Sequence, residues 1–337
     1  MRYFLHIILI FSQQIFSNQS YIDYQSPYHP VVSNSGMVVS QNFLSSDIGI
    51  EILNKGGNAV DAAVAVGFSL AITLPRAGNL GGGGFMLVYI KEKNEIFYID
   101  YRSKSPLNSS INKIFDISKN KKIDPKDFTN DMFDKTRYGY KAPAVPGTVA
   151  GLIEAHEKFG KLTLEEVLKP VIKQAKDGIV VSYDLHKAIE DTDQLKSDPE
   201  SSRIYFNKGT AIEENSIFKR PDLAKTLTKI SKYGRDGFYK GEVAEKIVLA
   251  MKQNGGMFSL KDFEEYKATF SDPIVASYRG NLVFTAGPPS GGGITLLTAL
   301  NVLSYFDLKK FNSDSALTYH LLSEAIRRGH NLSLIHI

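Results

Sequence analysis

Arg102 is the residue with the clearest chemical potential; it ends the run IFYIDYR in a chain of 337 residues. Its fork of N–H donors matches a carboxylate through two parallel hydrogen bonds, and the end of a strand would present that fork at a fixed point. An arginine in such a place also serves as an ordinary solvated ion-pair residue, and on the residue alone both readings stay open. Two glycine clusters accompany it. Gly81 to Gly84 stand in LPRAGNLGGGGFMLVYI, Leu74 to Ile90, shortly before Arg102. Ser290 to Gly293 stand in GPPSGGGITLLTALNVL, ahead of a predicted helix. Free N–H groups at a helix start could hold an anion there, and a tight turn with a cap accounts for the same residues equally well.

Several chemistries are set aside by pattern. A phosphate loop reads G-x-x-x-x-G-K-[ST], and no Lys-Ser or Lys-Thr pair directly follows Gly81 to Gly84. A dinucleotide fingerprint needs a strand before the glycines and a helix after, and here the order is reversed. What remains for the glycines is close approach to another backbone or to a ligand. No G-x-S-x-G nucleophile elbow occurs. The chain has no cysteine, which excludes disulfides, Cys-ligated zinc, iron–sulfur clusters and a thiol nucleophile. Its seven histidines are scattered without H-E-x-x-H, so neither a metal nor another cofactor is expected. Net charge is +4 with acids and bases interleaved, and no basic stripe points to nucleic acid.

The elements that must position these residues can be read in outline. MRYFLHIILIFSQQIFSNQS, residues 1–20, has the charged, apolar and small-polar order of a secretory signal peptide. Its apolar core is too short for a lasting membrane anchor, so a periplasmic or secreted protein is expected. Residues 37–40 read as a short strand. SDIGIEILNKGG reads as a helix capped by Ser46 or Asp47 and stopped at Gly56-Gly57. NAVDAAVAVGFSLAITLP reads as a buried helix ended by Pro75. FMLVYI and IFYIDYR flank a charged turn as a hairpin. Thr163 to Glu166 fit a capping box. RPDLAKTLTKISKYG and GEVAEKIVLAMKQNGG read as amphipathic helices, and PIVASYRGNLVFTAG as a second hairpin turning at Gly280-Asn281. DSALTYHLLSEAIRR is a last helix, and the polar stretch from Asn108 to Asp127 reads as an exposed loop. Helices interspersed with hairpins suggest a layered mixed α/β domain.

Five stretches then carry a resemblance. GMVVSQNFLSSDIGIEILNKGGNAVDAAVAVGFSLAITLP, GNLGGGGFMLVY, IDYR with Pro106 close behind, APAVPGTVAGL and GPPSGGGITLLTALNVL occur in that order. Together they resemble the large-subunit region of the γ-glutamyltransferases (glutathione hydrolases), members of the N-terminal-nucleophile hydrolases. The likeness covers most of Val31 to Arg328. It implies an α+β fold, the αββα sandwich, of which residues 21–328 would form the large-subunit part. It also implies a precursor that cuts itself to expose an N-terminal Thr, whose hydroxyl takes the γ-glutamyl group and passes it to water or an amino acid. Glutathione or another γ-glutamyl donor would be the substrate, and the small subunit of the same precursor the partner. Arg102 occupies the position of the arginine that binds the donor's α-carboxylate. The glycine loop would be structural backbone near that pocket.

The sequence departs from the family where the cut is made. The junction is of Thr-Thr or Thr-His type, and neither pair occurs. Thr318-Tyr319-His320 lies inside a helical pattern. After Arg328 the text GHNLSLIHI, residues 329–337, does not continue the family pattern. The nucleophile is therefore expected beyond this chain, which by itself should be inactive. A non-catalytic carboxylate-binding protein on the same scaffold is the alternative.

Overall fold

A computed structural model describes residues 30–117 and 129–332. The expected signal peptide and residues 333–337 lie outside the described residues, as does part of the polar stretch; its described part holds a short helix, Ile111–Ile114, rather than loop alone. Residues through Met37 form a unit of their own, which over 30–37 has neither helix nor strand. All that follows concerns the unit from Val38 onward.

Its centre is helix Ala59–Thr73. Asn58 caps it by accepting the N–H groups of Val60 and Asp61, and the Asp61 side chain accepts the Asn58 N–H in return. With most of its residues buried and nearly all of them small or apolar, the helix can be surrounded. Helices Phe43–Asn54, Thr148–Phe159 and Leu164–Asp177 pack around it. At Gly67 a Cβ would lie 2.9 Å from Leu152, so the approach to helix Thr148–Phe159 depends on a missing side chain. Ser45, Ser69 and Thr73 are buried among these helices. The Ser45 hydroxyl lies 2.8 Å from that of Ser69 and 2.7 Å from that of Thr73, and Ser69 donates to Gln174 Oε1 at 2.7 Å. Helix Leu164–Asp177 begins in the expected Thr163/Glu166 capping box.

The helices cover one face of an antiparallel three-stranded sheet, in the order Phe85–Ile90, Glu95–Asp100, Thr269–Ser271. Phe85 pairs with Asp100, and Tyr98 with Ser271. Alternation sorts the side chains. Met86, Val88, Ile90, Phe97 and Ile99 join the main core. On strand Phe85–Ile90 Val88 is 7% exposed, whereas Leu87 and Tyr89, facing the other way, are 43% and 57% exposed.

A second, smaller core lies toward the C-terminus. Hairpin Ile274–Tyr278/Asn281–Thr285 leads into helices Gly291–Leu303 and Ala316–Asn331, which bury Ala299, Leu303 and Ala325 between them. Helix and sheet layers together give the expected α+β class.

Three local readings need correction. Residues 37–40 form no strand, because no strand among the described residues pairs with them. The first helix starts at Phe43 and is capped by Asn42, not by Ser46 or Asp47; its early turn carries the buried polar Ser45, which hides the helical pattern. The second hairpin turns through Arg279-Gly280, at φ of 51° and 81°, one residue before the expected place. Two positive φ values give the primed turn that matches strand twist.

Candidate active site around Arg102

Arg102 follows strand Glu95–Asp100, where the ladder has ended and the chain turns away. Its main chain is held on several sides. Its N–H donates to Asp100 Oδ1 at 2.8 Å, and its carbonyl accepts the Tyr266 hydroxyl at 2.9 Å. Just before it, the Tyr101 N–H donates to Gly84 O at 3.0 Å. Just after it, Lys104 and Val145 exchange both of their backbone hydrogen bonds.

Gly81 to Gly84 are the wall on which this corner rests. A Cβ at Gly83 would lie 2.9 Å from the Arg102 carbonyl carbon and 2.8 Å from Tyr101 O. At Gly84 it would lie 2.7 Å from the Tyr101 ring. The Gly82 carbonyl accepts the N–H groups of Gly147 and Thr148 at 2.7 and 3.1 Å. Helix Thr148–Phe159 has no capping side chain at Gly147, so the glycine loop supplies the cap as a backbone oxygen. Gly83 thus packs on backbone and Gly84 on the Tyr101 ring, while Gly82 serves through its carbonyl and Gly81 is loosely surrounded.

The Arg102 guanidinium is exposed, and no ion pair involving it occurs among the described residues. Its Nη1 donates to Pro289 O at 3.4 Å. That bond joins Arg102 to the second glycine cluster, 187 residues away. In this cluster Gly293 presses against Ala286 O, whereas a Cβ at Gly292 would meet nothing closer than 3.7 Å. Two features separate in the sequence thus share one corner: a cation without a partner carboxylate and the open start of a 13-residue helix. Such a corner can receive a carboxylate.

Thr318 lies in the first turn of the last helix, where its hydroxyl is 2.8 Å from Asn312 O and 3.0 Å from Ser315 Oγ. It has the setting of a cap, not of a nucleophile. A cavity of about 1350 Å³ opens beside Leu80, Gly81 and Pro146 and does not include Arg102. Charges at its rim answer one another, Arg203 with Glu200 and Asp222, and Lys229 and Lys246 with Glu242. Sequence reasoning missed Tyr266, Tyr239 and Gly147; the first two lie in helix-end segments without any motif, and the third was quoted only as part of APAVPGTVAGL.

The layered α+β fold is shared with solved γ-glutamyltranspeptidases. The Helicobacter pylori structure superposes with a TM-score of 0.82 at 36% identity, covering 89% of this chain and 84% of that one. The Pseudomonas nitroreducens enzyme, complexed with L-DON, gives 0.78 at 37% identity over 89% and 85%. The gamma-glutamyltranspeptidase family pattern matches residues 45–331, and the chain belongs to that family. The glutathione hydrolase proenzyme of Pseudomonas sp. (strain A14) is 39% identical over 303 residues, 89% of this chain and 51% of that protein. That of Escherichia coli (strain K12) is 38% identical over 300 residues, 88% and 50%. The chain thus spans about half the length of these curated relatives.

Proposed function

We propose that this chain is the donor-binding half of an exported enzyme that cleaves the γ-glutamyl bond of glutathione and related conjugates. Arg102 holds the donor's α-carboxylate. The threonine hydroxyl at the start of the small subunit attacks the γ-carbonyl. Its proton passes through the threonine's own α-amine to the departing amine, and an ester remains. Water or an amino acid then attacks that ester, releasing glutamate or a new γ-glutamyl compound and returning the proton to the threonine oxygen.

Membership in the family supports this reading, as does the name proenzyme carried by the relatives. The observation that carries it at residue level is the Arg102 corner, with a fixed main chain and a guanidinium whose one hydrogen bond among the described residues is to Pro289 O at 3.4 Å. Export rests on the composition of residues 1–20. Among the described residues no helix is long and apolar enough to cross a membrane.

The test is turnover of a γ-glutamyl anilide and of glutathione by the full precursor. Arg102→Ala is expected to lower kcat/KM for the donor by about 2–5 kcal/mol, the range for breaking a desolvated charge pair. Arg102→Lys recovers only part, because a point charge does not copy the fork. A change below about threefold, less than 1 kcal/mol, removes Arg102 from the site.

A further inference from the structure

We infer that Tyr266 is a positioning residue for Arg102: its hydroxyl fixes the main chain from which the guanidinium projects. The inference rests on the proposed role of Arg102 as the carboxylate clamp. Arg102 lies outside any ladder, between the Tyr101–Gly84 pair and the Lys104–Val145 bridge. Its two flanking peptide groups are held by side chains instead. Asp100 takes the N–H, and Tyr266, 164 residues away, gives its O–H to the carbonyl. Holding both peptides fixes φ and ψ, and with them the direction of the Cα–Cβ bond. The remaining freedom of the guanidinium is that of its own rotamers.

Tyr266 is built to be rigid. It is buried, and its ring stacks on Tyr239 with centroids 5.8 Å apart and planes 8° apart. The Arg235 guanidinium lies 4.6 Å from the Tyr239 ring centroid and donates to the carbonyls of Phe263, Glu264 and Tyr266. Tyr239 is anchored in turn, donating to Pro146 O at 2.7 Å and accepting from the Ala150 N–H at 3.2 Å. Gly147 leaves room for the Tyr266 hydroxyl, which a Cβ there would overlap. Burial first, and then the nearby Asp100 carboxylate, raise the Tyr266 phenol well above its ordinary range, so it stays a donor at neutral pH. A tyrosine with only a packing role would not need this hydroxyl.

The experiment is a double-mutant cycle in the full precursor with a γ-glutamyl anilide. Tyr266→Phe keeps the ring and its stack and removes the hydroxyl. Donor KM is expected to rise by about three- to tenfold, the span of one lost hydrogen bond, with kcat within about twofold and little change in Tm. In the Arg102→Ala background the same substitution should add nothing, because the effect passes through Arg102. If Arg102→Ala itself leaves KM unchanged, the clamp reading fails and takes this inference with it. If Arg102→Ala raises KM but Tyr266→Phe does not, the clamp stands and the inference alone falls. Additive effects in the double variant, or a Tyr266→Phe protein that does not fold, would show a general structural role and overturn the inference.

Discussion

Asp61 Oδ1 lies 3.0 Å from the backbone nitrogen of Lys161, although a hundred residues separate the two. The carboxylate is fully buried and also accepts the N–H groups of Asn58 at 2.8 Å and Leu162 at 3.3 Å. His156 Nε2 sits 3.5 Å away and bonds the Leu162 carbonyl at 2.9 Å. One aspartate therefore ties the start of the central helix to the loop after helix Thr148–Phe159.

Asp61→Ala should be among the most damaging single changes in the chain. It strands several partly buried donors at once, each costing up to about 1–3 kcal/mol. Urea denaturation of the full precursor is expected to show a loss of about 3 kcal/mol or more. Asp61→Asn keeps one acceptor oxygen but points an NH₂ at N–H groups, and should recover little. A loss under about 1 kcal/mol for Asp61→Ala would remove the knot from the stability argument.

Substitutions along the glycine loop should differ sharply. Gly83→Ala pushes a methyl into the Arg102 and Tyr101 main chain, where backbone cannot give way. We expect a cost of about 1–3 kcal/mol, together with a raised donor KM. Gly81→Ala meets only Asn79 Oδ1 at 3.4 Å and should be nearly silent in both. Equal effects at the two positions would contradict the packing account.

Stability should fall on the alkaline side. The Tyr98 phenol is pushed up to about 12, first by burial and then by Asp100, with Arg102 pulling the other way. Tyr101 is pushed up to about 12 by burial. Burial likewise raises Tyr239 and Tyr266. The folded protein holds these phenols in their protonated form, so their contribution is complete below the ordinary value of 10.0 and is lost as pH rises through about 12. Phenolate absorbance from these rings is therefore expected only together with loss of near-UV circular dichroism. Among the described residues the buried Tyr98 hydroxyl has no hydrogen-bond partner. Tyr98→Phe should leave neutral-pH stability unchanged or raise it by about 1 kcal/mol, and should flatten the alkaline slope. A marked loss at pH 7 would reveal a partner for that hydroxyl.

Expressed by itself, the chain should self-associate. Strand Phe85–Ile90 is a sheet edge, with Leu87 and Tyr89 facing outward, and hairpin residues Val275 and Leu282 are also exposed. Open edges and apolar faces promote association. Light scattering should report oligomers, and Leu87→Lys with Tyr89→Lys should raise the monomer fraction. A monodisperse, cooperatively unfolding chain would overturn this expectation.

What the sequence revealed was local. The Thr163/Glu166 cap and the stops at Pro75 and Gly56 act within a few residues and were legible there, whereas the equally local Asn58/Asp61 cap went unread. The strand expected at 37–40 failed because a short apolar, β-branched run does not by itself supply a neighbour. The turn at Arg279-Gly280 slipped by one because a positive φ at an arginine is an uncommon choice that pattern does not signal. The meeting of Arg102 with Pro289, and its support by Tyr266, join residues more than 160 positions apart. No periodicity encodes such pairs; they follow from the way the layers stack.

The third strand, Thr269–Ser271, and Tyr266 beside it come late in the chain. A nascent polypeptide grows at about 5–20 residues per second. The 164 residues between Arg102 and Tyr266 therefore take roughly 8 to 30 seconds to emerge. Throughout that interval the helical layer can gather around Ala59–Thr73, while the sheet lacks an edge and the Arg102 carbonyl lacks its donor. The Arg102 corner is thus completed only after the helices that follow Arg102 have emerged, and a pause or chaperone acting before Ser271 would meet the helical layer without its finished corner.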